Sequence, residues 1–142
     1  MRIAVIDGQG GGIGRALVEK IKEGVPGARI LALGTNSMAT GQMLRAGADE
    51  GATGENAIAW NVSRVDVVTG VIAILNANSL MGELTPRMAE AIGASPAFKV
   101  LLPVNRCGVH VVSVADAPLA THIDNCVAAI AKYARRGAGE RE

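Results

Sequence analysis

Near the amino terminus stand Gly8, Gln9, Gly10, Gly11, Gly12, Ile13 and Gly14, five glycines in seven residues. A short apolar run, IAVI at 3–6, precedes them. Ile13, Ala16, Leu17, Lys20 and Ile21 then follow at helical spacing. A glycine-rich turn between a buried strand and a helix suits a phosphate. Glycines let the backbone approach closely, and the first helical turn offers free amides and a partial positive charge. The phosphate-loop NTPase pattern is excluded, because Arg15 and Ala16 stand where Lys and Ser or Thr are required. The usual dinucleotide spacing fails as well, since its third glycine falls on Ile13.

Further polar groups stand after the other apolar runs. Thr35 and Asn36 follow residues 29–33 and can hydrogen-bond a ribose or sugar. Thr53, Gly54, Glu55 and Asn56 follow a short third run, Thr69 and Gly70 a fourth, and Asn105, Arg106 and Cys107 a fifth. These turns carry amides, hydroxyls and carboxamides, whereas those on the opposite edge (EGVPGA, AGA, SR, GASPA) read as plain turn chemistry. The asymmetry predicts one binding edge. Asp7 is read chiefly as an organiser of loop amides, and Glu55 as a first-turn acid favoured by the helix dipole. Arg106 is a candidate phosphate clamp. Cys107 reads as a packed residue before a nucleophile, for no histidine is placed to activate it. His122 and Cys126, four apart, have metal-ligand spacing. They border an apolar stripe of Leu119, Ile123, Val127 and Ile130, so core packing is the reading taken and no metal is expected. Met38, Met43, Met81 and Met88 read as packing residues.

The elements that must position these groups alternate. Strands are expected at 2–7, 29–33, 49–52, 66–69 and 99–104, with a sixth at 109–114, possible as an antiparallel edge. Helices are expected at about 13–23, from the turn Gly34 to Ser37 to near Arg45, from the turn Thr53 to Asn56 to about Ser63, from Pro86 after the cap Thr85 to about Ala94, and at about 118–135. Residues 70–81 fit either a longer strand or a short helix. Alternation of this kind means a mostly parallel sheet with right-handed crossovers. The expected fold is a three-layer, Rossmann-like α/β domain of about five strands over 1–134, with a flexible polar tail at 135–142.

Composition narrows the class. With 142 residues, 14 Lys and Arg against 13 Asp and Glu, and a net charge of +1, the chain has no basic stripe for nucleic acid or anionic membrane. Three aromatic residues, Phe98, Trp60 and Tyr133, make a base-stacking platform an improbable design. No apolar run approaches the ~20 residues of a membrane span, and no signal peptide is read, so a cytoplasmic protein is expected. Two cysteines give no metal spacing of their own. A hydrophobic content of 49% in so small a domain predicts a homo-oligomer.

Gly8, Gly12 and Gly14, with Ile13 between the last two, form a GxxxGIG arrangement that resembles the nucleotide-binding opening of short-chain dehydrogenases. The resemblance covers about the first 36 residues and implies NAD or NADP. It does not extend to that family's Tyr-x-x-x-Lys pair, for Tyr133 has Gly137 four residues on. The order of Asp66 to Gly70, Leu84-Thr85-Pro86, residues 89–92 and 99–105 is similar to the phospholactate transferase and gluconeogenesis-factor superfamily, which implies a phosphorylated metabolite or nucleotide sugar. The whole combination of DGQGGGIG, LGTN, GATGEN and GELTP looks most like a family of short bacterial proteins of unknown function.

Overall fold

The computed structural model describes residues 1–104 and 107–140. Five strands are present: β1 (Arg2–Asp7), β2 (Arg29–Gly34), β3 (Glu50–Thr53), β4 (Val67–Val71) and β5 (Phe98–Leu102). Their helices are α1 (Gly12–Gly24), α2 (Ser37–Arg45), α3 (Glu55–Asn61), α4 (Pro86–Ala94) and α5 (Leu119–Glu140). The strands form one sheet in the order β3-β2-β1-β4-β5, and every pairing is parallel.

Strand periodicity divides the core into two layers. Ala4 and Ile6 of β1, with Leu31, Leu33, Val68 and Val71, face Ile58 and Val62 of the α3 region and Met88, Ala89 and Ile92 of α4. Ile3 and Val5, with Ile30, Ala32 and Val67, face Leu17, Val18 and Ile21 of α1, Met43 of α2 and Ile123, Val127 and Ile130 of α5. Both sheet faces are thus covered, as nearly continuous apolar strands require. Thr85 caps α4 by accepting from the Met88 amide at 3.2 Å, with Pro86 at the first helical position.

Four departures from expectation matter. Residues 109–114 form no strand. Positive φ at Cys107, Gly108 and Ser113 breaks extension there, and the valines of VHVVSV present no single face for a sheet. Residues 70–81 take neither single form: β4 continues to Val71, a 3-10 turn spans Ile72–Leu75, and hydrogen-bonded turns follow. Helix α5 continues past the expected boundary at 135 to Glu140. Met43 and Met88 are core residues, but Met38 and Met81 are exposed, Met81 by 94%.

Candidate functional site

In a parallel sheet, ligands bind beyond the carboxyl ends of the strands, where the order reverses direction. Here that reversal lies between β1 and β4, the neighbours from which the chain winds outward both ways. The glycine loop leaves β1 at this point.

Asp7 holds the loop. Its Oδ1 accepts from the Gly8 amide at 2.8 Å and its Oδ2 from the Gly14 amide at 2.6 Å. Burial raises its pKa above the ordinary carboxylate value, against the lowering effect of the two amides. Gly11 is the N-cap of α1 with φ 76, and a Cβ on it would stand 2.7 Å from Ala39 Cα. Gly14 is pinned too: a Cβ would meet Met43 Sδ at 2.7 Å and Asp7 Cβ at 2.8 Å. Gly10 and Gly12 face open space, with nothing within 4 Å of an added Cβ. The amides of Gly12 and Ile13 lie in the first turn of α1, where a helix supplies no acceptor. Gly8 is close-packed too, for a Cβ on it would stand 2.6 Å from Thr35 Oγ1, so three of the glycines pack the loop and two leave its outer face open.

A carboxylate that the sequence reading missed meets this loop. Glu83 Oε1 accepts from the Gln9 amide at 2.9 Å, from Thr35 Oγ1 at 2.7 Å and from Asn36 Nδ2 at 2.7 Å. These bonds, led by the Gln9 amide, hold its pKa below the ordinary value. Asn36 is fully engaged, since Nδ2 also donates to Gln9 O at 3.0 Å and Oδ1 caps α2 by accepting from the Ala39 amide at 2.8 Å. Gln9 adopts a positive φ of 49 to present its amide. Glu83 lay within GELTP, read as the approach to a helix, and no local pattern pairs it with a residue 74 positions away.

The remaining candidates do not all converge. Thr53 Oγ1 lies 2.7 Å from Thr40 Oγ1, joining β3 to α2. Gly54 caps α3 with φ 100. Glu55 pairs with Arg87 at 3.6 Å, and Arg87 also reaches Asn56 Oδ1 at 3.5 Å, so both residues tie α3 to α4. Thr69 is turned away from the carboxyl edge. It is fully buried, with Oγ1 3.2 Å from Cys126 Sγ in the layer beneath α5. Strand periodicity decides this, because Thr69 pairs with Val5 and shares its face. Gly70 lies inside β4, where a Cβ would stand 2.6 Å from Ile6 O, so it serves strand approach. Cys107 is exposed with φ 48, which departs from the packed role expected of it, and Asn105 and Arg106 lie outside the described residues. Cys126 is buried, and burial raises its thiol pKa. Among the described residues no cluster of three His, Cys, Asp or Glu could hold a metal, and no helix is long and apolar enough to cross a membrane.

At the other edge of the sheet, Met1, Asp66, Phe98, Tyr133, Ala134, Arg136 and Gly137 line a cleft of about 340 Å³. Its wall includes a stacked Phe98–Tyr133 pair with ring centroids 4.5 Å apart.

Fold and carboxyl-edge loop together define a three-layer, Rossmann-like α/β domain with an acid-tethered glycine loop at its switch point. The chain belongs to the family described as a domain of unknown function, DUF3842, which matches residues 2–135. No curated protein and no solved structure matches the chain.

Proposed function

We propose that this protein binds a nucleotide or dinucleotide of the NAD(P) type through residues 8–14. The observation that carries the reading is the open outer face of Gly10 and Gly12 at the switch point, beside the first-turn amides of Gly12 and Ile13. A phosphate resting there meets backbone donors without displacing a side chain. In this reading Thr35 and Asn36 receive the ribose. Thr53 to Asn56 would border the pocket from the end of β3, and Asn105, Arg106 and Cys107 remain candidates read from the sequence.

The acids favour a non-catalytic version, in which the ligand is a phosphorylated metabolite or nucleotide sugar, or the protein is a subunit of an oligomer. Asp7 is committed to two amides and Glu83 to three donors, so neither is poised as a general base.

A thermal-shift panel of NAD, NADP, FAD, UDP-sugars, ATP, GTP and small phosphorylated acids tests the reading. A ligand at ~100 times its Kd adds about 2.7 kcal/mol, a shift of several degrees. Gly12→Val, whose side chain enters open space, is expected to fold and to abolish the shift. A flat panel, or a shift that survives Gly12→Val, refutes binding at this loop.

A further inference from the structure

Residues 76–84 form a compact unit over the glycine loop. Within it the Ser79 amide donates to Asn76 O, Gly82 to Asn78 O, Glu83 to Leu80 O and Leu84 to Ser79 O, while the Asn78 amide closes the base on Leu84 O at 2.7 Å. Ile74 before it and Leu84 at its end are fully buried anchors. Between the anchors the backbone is unusual. Asn78, Leu80 and Met81 all hold positive φ (64, 54 and 56), as does Gly82. Leucine and methionine seldom adopt this region, and here the hydrogen bonds within the turn accompany it.

Two side chains reach from this unit to the glycine loop. A Cβ on Gly8 would stand 3.0 Å from Leu80 Cδ1 and 3.2 Å from Glu83 Oε1, which places both directly over that residue. The stronger tie is the Glu83 carboxylate with its three donors. Those donors are the groups a bound nucleotide needs: the backbone amide of Gln9 in the glycine loop, and the Thr35 hydroxyl and Asn36 amide at the end of β2. A single carboxylate oxygen holding all three does what a ligand oxygen would do in its place.

We propose that the Glu83 carboxylate is a latch on the glycine loop, and that a ligand oxygen gains Gln9, Thr35 and Asn36 only by displacing it. The proposal rests on the nucleotide-binding reading and adds its regulation, because the empty protein is self-occupied and ligand competes with its own acid. The turn itself is fixed at its base, by Asn78 N to Leu84 O and by the buried Ser79 Oγ to Ala73 O bond at 2.6 Å, so the moving part is the Glu83 side chain.

The full chain is tested by two measurements on wild type, Glu83→Ala and Glu83→Gln. One is calorimetric titration with NAD, AMP and inorganic phosphate. The other is amide hydrogen exchange at Gln9 without ligand. Glu83→Ala empties the seat, and Glu83→Gln keeps an acceptor oxygen but removes the charge, so it serves if the alanine variant fails to fold. The expected results are Gln9 exchange about tenfold faster and binding at least fivefold tighter in Glu83→Ala, with smaller changes of the same sign in Glu83→Gln. Weaker or unchanged binding in both variants, with wild type still binding, overturns the latch, leaves the nucleotide reading standing and makes Glu83 a ligand acceptor or a bystander. Failure of wild type and both variants to bind any of the three probes overturns the nucleotide reading, and the latch with it.

Discussion

The two edges of the sheet solve the same local problem differently. At the amino edge, carboxylates satisfy the amides that start strands. Asp66 Oδ2 accepts from the Arg2 amide at 2.7 Å, and Asp49 Oδ2 from the Ile30 amide at 2.8 Å. Each acid serves one amide at the start of a neighbouring strand, and Arg29 with Glu50 adds an ion pair. At the carboxyl edge the acids gather donors: Asp7 takes two and Glu83 three. The amino edge has a cleft of about 340 Å³ walled in part by aromatic rings, and the carboxyl edge has the convergent polar chemistry. Among the described residues, donors aimed at a shared point stand at the carboxyl edge, which is the arrangement a polar ligand requires.

The largest test of this contrast is within the glycine loop. Gly14→Val forces a side chain into Met43 and Asp7 and is expected to cost about 3 kcal/mol in urea denaturation, whereas Gly12→Val changes stability by no more than ~0.5 kcal/mol. Equal costs would mean that the loop does not divide into a packed and an open face.

Next comes the matched pair of acids. Asp7→Asn leaves a buried amide facing an NH₂ group and should cost about 2 kcal/mol, against roughly 1 kcal/mol or less for Asp66→Asn at the exposed amino edge. Comparable losses would make Asp7 an ordinary strand-end acid.

At the amino-edge cleft, Phe98→Ala removes the stack on Tyr133. With both rings partly exposed, a loss of about 1 kcal/mol is expected, with no change in any nucleotide-induced thermal shift. A lost ligand shift would move the site to that cleft.

The smallest effect is a pH dependence of opposite sign at the two carboxyl-edge acids. The pKa of Glu83 is lowered, so its contribution is complete above the ordinary value of 4.5 and is lost as pH falls through its folded value. The pKa of Asp7 is raised, so the folded state holds its proton more tightly. Its contribution therefore declines as pH rises from the ordinary value of 3.8 through the folded one. Urea midpoints between about pH 3 and pH 7 should show a steeper acid-side fall in wild type than in Glu83→Gln. Identical profiles would show that the Glu83 bonds contribute nothing to the folded state.

What sequence reasoning recovered is what depends on neighbours along the chain. The five strands and five helices follow from apolar period, from Thr85 and Pro86 at a helix start, and from glycines at turns, all signals within a few residues. The role of Asp7 was legible for the same reason, since its amide partners are one and seven residues away. Residues 109–114 misled because β propensity cannot report left-handed residues at 107, 108 and 113.

By itself, then, the sequence determined the alternation of elements and a glycine loop after the first strand, because both are set by local periodicity and backbone freedom. Only the tertiary structure decided that Thr69 faces Cys126, 57 residues on, and that Glu83 crosses 74 residues to hold Gln9. Such contacts depend on strand order and on which face of the sheet a residue takes, and a one-dimensional pattern carries neither.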